Sequence, residues 1–236
     1  MKFKSLDAGY LERRRALSEE LGPRPVWEVV DHWPLYAGMA NIARFMAIAD
    51  LLRSTLGVPG HVAEFGSWRG ANLSFLAKLL AIYDPHGPKV VHCFDSFEGL
   101  TDFAPEDGAA RDSAGAYRGA RAELEAMLAL VDLTDAVEIH EGLIQDTLPP
   151  LCDGRPGLSF SFVYCDTDLY EPSKLILEHL DSRLMPGGLF VFDQWNYDAW
   201  PGESLAGMEF LESRPGAYRP ETPPSARQPS LALRKL

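Results

Sequence analysis

The chain has 236 residues, of which 46% are hydrophobic and 24% charged, a composition typical of one large globular domain and not of disorder or a coiled coil. Its 34 acidic and 22 basic residues leave a formal net charge of -12, which repels the phosphates of nucleic acids and anionic membranes. No window of about 18 apolar residues occurs, and the first residues lack the apolar stretch of a secretory signal. We therefore expect a cytoplasmic protein that binds neither nucleic acid nor membrane.

Short apolar runs alternate along the chain with segments of helical periodicity, a pattern typical of a parallel sheet covered on both faces by crossover helices. Ahead of the first strand, residues 37–56 carry apolar side chains at helical spacing, so one or two helices pack there on the sheet, on a partner subunit or over an active site. The expected strands are residues 61–65, 90–95, 136–140, 159–166, 188–193 and, as a sixth, 230–233. The expected helices between them are residues 72–83, 117–131 and 172–184.

Two segments are irregular. Residues 101–116 are rich in Asp, Gly and Ala, and form either a mobile loop over something or a long surface connection. Residues 214–229 contain five prolines, which exclude a helix and suit an edge hairpin or an extended tail. The three cysteines, Cys93, Cys152 and Cys165, are expected to be buried thiols in a reducing compartment, with a zinc site as the alternative.

The first expected strand runs into a glycine turn that opens a helix. Glycines let the backbone approach a ligand closely, and the first helical turn offers unpaired N–H groups. The dinucleotide pattern G-x-G-x-x-G is missing because Trp68 stands at the middle glycine, where its side chain would crowd a pyrophosphate. Glu64, just before the turn, attracts an ammonium group and repels a phosphate. The alternative is that many α/β proteins have such a turn without any ligand there.

The second expected strand narrows the choice of ligand. It ends at Asp95, 29 positions after Gly66, which is where doubly wound folds place a carboxylate on ribose hydroxyls. A ligand with a ribose, a cationic group and no phosphate is S-adenosylmethionine. We therefore expect this cofactor.

Four sequence blocks resemble class I S-adenosylmethionine-dependent methyltransferases, and among them the macrocin O-methyltransferase-like group that methylates deoxysugar hydroxyls. The blocks are PGHVAEFGSWRG at 59–70, FDSFEGL at 94–100, GLIQDTLP at 142–149 and YCDTDLYEPS at 164–173. The resemblance implies an α/β fold with a doubly wound, mostly parallel seven-stranded sheet and N-terminal helical additions. It divides a single methyltransferase domain into a helical cap, residues 1–58, and a Rossmann-like core, residues 59–236.

The resemblance also implies which residues bind the cofactor, from its methionine part through the ribose to the adenine. They are Glu64, Gly66, Ser67, Asp95, Ser96, Ile144 and Gln145. Within this set Asp95 binds the ribose hydroxyls and Ser96 lies beside the adenosine. For Gln145, an exposed polar loop residue is the alternative.

Polar side chains follow two central strands of the expected sheet. Asp166 and Asp168 come after one strand, and Asp193 and Gln194 come after the next. Parallel neighbouring strands bring these ends together, and oxygen ligands there suit Mg²⁺, for which we predict Asp166, Asp193 and Gln194. Such an ion would acidify and orient an acceptor hydroxyl. The family pattern usually has Asp-Asp where this chain has Asp193-Gln194, and the lost charge implies that the metal binds more weakly or not at all.

Asp166 and Asp168 are the predicted catalytic residues. Asp168 and Glu98 are alternatives for the general base, although Asp168 could instead cap the helix that follows it. A carboxylate of ordinary pKa is a poor base for an alcohol, so this role would depend on the metal. His92 and His140 lie inside expected strands and receive no role.

The resemblance implies a Mg²⁺-assisted, homo-oligomeric O-methyltransferase that acts on a deoxysugar, either nucleotide-linked or on a natural-product glycoside. Tyr170 and Trp195 could stack on the sugar or simply pack. The same enzyme class acting on a phenol or catechol is the nearest alternative. A non-catalytic binding protein with a retained nucleotide pocket is another. An NAD-dependent oxidoreductase is disfavoured by the missing middle glycine.

Overall fold

A computed structural model of the protein describes residues 4–224 and 226–236. The strands in this part of the chain are β1 (His61–Phe65), β2 (Val91–Asp95), β3 (Val137–Glu141), β4 (Phe160–Cys165), β5 (Leu184–Phe192), β6 (Tyr218–Glu221) and β7 (Leu231–Lys235). The helices are α1 (Lys4–Leu21), α2 (Val26–Asp31), α3 (Trp33–Tyr36), α4 (Met39–Arg53), α5 (Ala71–Tyr83), α6 (Arg121–Leu130), α7 (Ile144–Gly154), α8 (Tyr170–Leu180) and α9 (Pro201–Ser213).

The strands form one sheet in the order β3-β2-β1-β4-β5-β7-β6. The first five strands pair in parallel, whereas β7 runs antiparallel to β5 and β6 antiparallel to β7. Strand order reverses between β1 and β4, and ligands of open α/β sheets bind at such a switch point. The predicted doubly wound, mostly parallel seven-stranded α/β fold is confirmed.

Side chains alternate between the two faces of the sheet, so each strand contributes to two apolar layers. On one face, residues such as Phe65 and Phe94 pack under α7, α8 and α9. On the other, residues such as Val62 and Cys93 pack under α4, α5 and α6. The two layers bury the strands β1, β2 and β4 almost completely. All three cysteines are free and buried, as expected.

Several element boundaries differ from expectation. The helix expected at 117–131 starts only at Arg121, since Tyr117 adopts a left-handed φ of 60°. The helix expected at 172–184 ends at Leu180, because a 3₁₀ turn leads directly into β5. Helices α7 and α9 are not among the expected elements, and Pro149 and Pro150 inside α7 disfavour a helix in the sequence pattern.

The two irregular segments each contain a regular element among their described residues. Residues 214–229 include β6, an edge strand with Pro220, so the edge-hairpin interpretation is confirmed. Residues 101–116 contain a 3₁₀ helix, Pro105–Ser113, and the buried Asp107 anchors this segment. Its Oδ1 accepts a hydrogen bond from the Tyr170 backbone N–H at 2.8 Å, and its Oδ2 accepts one from the Ala104 N–H at 2.7 Å. The segment is therefore tied to the start of α8.

The N-terminal helices differ in how they pack. Helix α4 lies on the sheet through Ala47, Ile48 and Leu52, whereas its Met46 is exposed. Helices α2 and α3 bury none of their side chains. Among the described helices, none combines the length and the apolar character needed to cross a membrane. The expected division of the chain at residue 58 stays a prediction.

Candidate functional site

One cavity of about 870 Å³ lies at the carboxyl ends of β1, β2, β4 and β5. It is lined by all of the predicted cofactor-binding, catalytic and metal-binding residues: Glu64, Gly66, Ser67, Asp95, Ser96, Ile144, Gln145, Asp166, Asp168, Asp193 and Gln194. The fold thus brings together the predicted cofactor residues and the predicted catalytic residues, which come from five separate parts of the chain. Their individual roles stay predictions.

Gly66 directly follows β1 and lies against the backbone of Asp166, the residue that follows β4. It has φ of +82°, and a Cβ atom there would lie 2.1 Å from the backbone oxygen of Asp166. The glycine is therefore required by the neighbouring strand end, whether or not a ligand is bound.

Glu64 is a buried carboxylate at the floor of the cavity. Its Oε2 accepts a hydrogen bond from the Ser67 hydroxyl at 2.8 Å, and its Oε1 accepts one from the Asn72 amide at 2.7 Å. Burial raises the pKa of Glu64 to about 7, although both hydrogen bonds oppose the rise. The Oδ1 atom of Asn72 is buried without a partner among the described residues. The Glu64 carboxylate and the Asn72 Oδ1 atom are thus neighbouring acceptors, and neither contacts a cation. This arrangement fits the ammonium group of S-adenosylmethionine.

Asp95 holds the glycine turn in place. Its Oδ2 accepts hydrogen bonds from the backbone N–H groups of Ser67 at 2.6 Å and Trp68 at 2.8 Å, and its Oδ1 accepts one from Phe97 at 2.6 Å. A carboxylate offers about four lone-pair sites, so Oδ1 can still accept a ribose hydroxyl. The residue thus shapes the turn in addition to its predicted contact with the ribose.

The predicted adenine side of the cavity is more open. Ile144 and Gln145 begin α7 at its edge, with Ile144 partly buried and Gln145 exposed. The alternative for Gln145, an exposed polar residue, therefore remains. Glu98, the alternative base, is exposed and is not among the residues that line the cavity.

The carboxylates at the ends of β4 and β5 converge, as predicted, and an arginine lies between them. Arg44 on α4 donates from Nη1 to Asp193, 2.9 Å from Oδ1 and 3.1 Å from Oδ2, and from Nη2 to Asp166 Oδ2 at 3.2 Å. Sequence reasoning missed Arg44. The available signal was its place one and two helical turns before the buried Ile48 and Leu52, on the face of α4 that packs on the sheet.

The predicted metal ligands do not fit a divalent ion in this arrangement. Mg²⁺ needs near-octahedral oxygen ligands at about 2.0–2.1 Å, and the guanidinium of Arg44 fills the space between Asp166 and Asp193. Asp193 Oδ1 also accepts a hydrogen bond from the Tyr164 hydroxyl at 2.5 Å. The Oε1 atom of Gln194 is buried without a described partner, and a hydroxyl of an acceptor would satisfy it.

Asp168 has the properties of a general base. It is buried, adopts φ of 61° and has an Oδ1 atom without a partner in the described chain. Burial and then the negative charge of Asp193 raise its pKa to about 7, which suits proton transfer near neutral pH. The helix-cap alternative lacks support, because α8 begins at Tyr170 with Leu169 as its N-cap residue, and no side chain caps the helix.

Aromatic side chains meet at the cavity, but Tyr170 and Trp195 are not among them, which agrees with the alternative that these two simply pack. Tyr170 donates a hydrogen bond to Glu209 and Trp195 packs on Phe192, and neither lines the cavity. Trp68 and Tyr117 line it instead, with ring centroids 5.6 Å apart and both rings about half exposed. Both have positive φ values, 50° and 60°, a strained conformation that bulky residues rarely adopt outside functional sites.

The two histidines lie apart from this cavity. Nδ1 of His92 and Nε2 of His140 are 3.0 Å apart and share a hydrogen bond. Glu138 lies near enough to complete a possible three-ligand metal group, but Arg155 already holds both of its oxygens. Burial lowers the pKa of His92 to about 4, so it is neutral near pH 7.

The chain is similar in sequence to a known protein family and to several of its relatives. A family model described as Macrocin-O-methyltransferase (TylF) matches residues 16–215. A Streptomyces olivaceus protein, 8-demethyl-8-(2,3-dimethoxy-alpha-L-rhamnosyl)-tetracenomycin-C 4'-O-methyltransferase, is 33% identical over 183 residues, which are 71% of this chain and 66% of the relative. Mycinamicin III 3''-O-methyltransferase of Micromonospora griseorubida is 30% identical over 168 residues, 66% of this chain and 64% of the relative. The chain thus spans slightly less than two thirds of each of these relatives.

A solved structure shows the same fold over nearly the whole chain. The crystal structure of CalS11, a calicheamicin methyltransferase, superposes with a TM-score of 0.81 at 26% identity, covering 96% of this chain and 91% of that one. The family match covers well over half of the chain, including the glycine turn and the strand-end carboxylates. The protein therefore belongs to the macrocin O-methyltransferase (TylF) family.

Proposed function

We propose that the protein is an S-adenosylmethionine-dependent O-methyltransferase that methylates a hydroxyl group of a deoxysugar. The observation that carries the proposal is that Glu64 and Asp168 line the same cavity. A cationic cofactor fits beside Glu64, and a hydroxyl that must lose a proton fits beside Asp168. The names of the tetracenomycin and mycinamicin relatives, both O-methyltransferases, support the reaction type, and the rhamnosyl group in the first name supports a sugar acceptor.

Different residues of the cavity have different roles in the proposed reaction. Glu64 and Asn72 bind the ammonium group of the cofactor, and Asp95 binds its ribose. When bound, S-adenosylmethionine supplies the methyl group, so that an O–CH₃ bond forms as the S–CH₃ bond breaks and S-adenosylhomocysteine remains. Asp168 accepts the proton that the hydroxyl loses. Trp68 and Tyr117 offer apolar ring surfaces for the face of a sugar.

The charges of the cavity favour an uncharged glycoside over a nucleotide-linked sugar. Among the described residues that line it, Arg44 is the one basic side chain, and two carboxylates already hold it. A diphosphate would therefore meet acidic residues such as Asp102 and Glu171 without a free cation. We accordingly favour a deoxysugar that is already attached to a natural product.

Other expectations from the sequence stay predictions. Mg²⁺ is not included in the proposed mechanism, because Arg44 occupies the space between the predicted ligands. A homo-oligomer is consistent with the exposed apolar side chains of Trp27, Trp33 and Leu35, and light scattering would test it. The cytoplasmic location is likewise a prediction.

The proposal is tested with the purified full-length chain. Calorimetry with S-adenosylmethionine measures cofactor binding, and mass spectrometry detects the methyl group added to each member of an acceptor panel. The panel contains uncharged deoxysugar glycosides, nucleotide-linked deoxyhexoses and catechols. We expect turnover on glycosides. Turnover on catechols alone would refute the sugar acceptor, and tight cofactor binding without turnover on any acceptor would support a non-catalytic binding protein.

A further inference from the structure

The guanidinium of Arg44 stands where a divalent ion would have to bind. Its two terminal nitrogens contact Asp166 at 3.2 Å and Asp193 at 2.9 Å. The planar fork of an arginine engages carboxylates through several parallel N–H groups. Arg44 and an ion bound by the same two carboxylates therefore cannot occupy this space together.

The environment of Asp193 reinforces this exclusion. Its side chain is only 2% exposed, and its Oδ1 is shared between Arg44 and the hydroxyl of Tyr164. Coordination of an ion would require the carboxylate to give up these donors. A fixed donor set of this kind holds the carboxylate in one orientation without a metal.

Gln194, the residue after Asp193, also disfavours a divalent ion. Gln194 contributes no charge, and its backbone N–H donates to the buried Glu203 at 3.1 Å. An ion in the gap would consequently be held by one negative charge fewer than a site with a carboxylate at this position. Arginine stays protonated in proteins, so Arg44 supplies one permanent positive charge to the two carboxylates.

We propose that Arg44 replaces the divalent ion in this protein: it is a positioning residue that supplies a positive charge to Asp166 and Asp193 and orients them, and methyl transfer proceeds without added metal. The inference rests on the proposed function. It differs from that proposal in concerning how the carboxylates are held, so that the two can fail separately.

The first test uses the wild-type full-length protein after chelation and desalting. Electron paramagnetic resonance of added Mn²⁺ reports binding through loss of the free-ion signal, and it needs no acceptor. We expect the free Mn²⁺ signal to stay unchanged and turnover to be insensitive to EDTA or added Mg²⁺. Stoichiometric Mn²⁺ binding that disappears in Asp193→Asn, or turnover that EDTA abolishes and Mg²⁺ restores, would overturn the proposal.

The second test compares variants of Arg44. We expect Arg44→Ala to lower kcat by ~10²-fold, since misplaced catalytic groups cost about this much, with S-adenosylmethionine affinity unchanged. Arg44→Lys keeps the charge and should recover part of the rate. Arg53→Ala is the control on the same helix, because Arg53 is 62% exposed and its ion pair with Asp50 is 4.0 Å long. Wild-type kcat in both Arg44 variants would refute the positioning role.

A third variant opens the gap to a metal. Arg44→Ala combined with Gln194→Asp removes the guanidinium and restores a carboxylate, so we expect this double variant to bind Mn²⁺ where the wild type does not. Circular dichroism checks that it is folded. If no acceptor is ever methylated, the proposed function fails, while the Mn²⁺ titration still decides whether Arg44 excludes a metal.

Discussion

The substitution Glu64→Gln should have opposite effects on the free energy of unfolding and on cofactor affinity. Glu64 is 1% exposed, and burial raises its pKa from an ordinary 4.5 to about 7. The folded protein therefore binds this proton more tightly than the unfolded chain does. As a result, the free energy of unfolding falls as the pH rises from 4.5 to about 7 and is constant above that range.

The size of the effect follows from the same shift. A difference between 4.5 and about 7, at about 1.4 kcal/mol for each pKa unit, corresponds to about 3 kcal/mol. Glutamine carries no charge, and its amide can still accept from Asn72 and donate to the Ser67 hydroxyl, which can turn toward Cys93 Sγ, 3.1 Å away. We therefore expect the variant to be more stable than the wild type by up to about 3 kcal/mol at pH 8, and nearly equal at pH 4.5.

Urea unfolding of both proteins at pH 4.5, 6 and 8, without cofactor, measures this difference. The wild type should also bind S-adenosylmethionine more tightly as the pH rises through 7, because an ionised Glu64 attracts the ammonium group. The variant should lose that pH dependence together with most of its affinity. A difference in unfolding free energy that does not change with pH, or a variant less stable than the wild type at pH 8, would refute the raised pKa of Glu64.

Three further substitutions test other parts of the site. Asp168→Asn should lower kcat by ~10²–10⁴-fold, the usual contribution of a general base, while calorimetry finds unchanged cofactor affinity; wild-type turnover would exclude Asp168 as the base. Gly66→Ala should lower the free energy of unfolding, measured in urea, by at least about 1–3 kcal/mol from backbone strain, and the clash with the Asp166 carbonyl adds to this loss. Gly154→Ala is the control and should lower it far less, because a Cβ atom at Gly154 would have no close neighbour. Trp68→Asn tolerates a positive φ and should raise the acceptor KM roughly tenfold, equal to about 1.4 kcal/mol of lost contact, without changing cofactor affinity; an unchanged KM would remove Trp68 from the acceptor site.

The sequence alone was sufficient to predict the sheet and most of the cavity. Buried parallel strands read as continuous apolar runs, so β1, β2 and β4 were placed within a residue or so of their observed ends. Once the strands are placed, parallel pairing brings Glu64, Asp95, Asp166 and Asp193 to one edge of the sheet. The pattern of apolar residues is local and periodic, so the strands can be predicted from the sequence alone.

Local patterns were insufficient where tertiary contacts override them. Helix α7 was not predicted, because its two internal prolines disfavour a helix in the sequence pattern. Asp107 holds the segment after β2 by accepting a hydrogen bond from the backbone N–H of Tyr170, which is far along the chain. The aromatic pair at the cavity is Trp68 and Tyr117, which no spacing rule connects.

Arg44 shows the limit most clearly. In the sequence it is one charged residue within a helix, 122 positions from Asp166 and 149 from Asp193. Only the packing of α4 on the sheet brings its guanidinium between the two carboxylates. The sequence determined that oxygen ligands converge at the strand ends, and the tertiary structure decided which cation they hold, because the energy of that contact depends on distance in space and not along the chain.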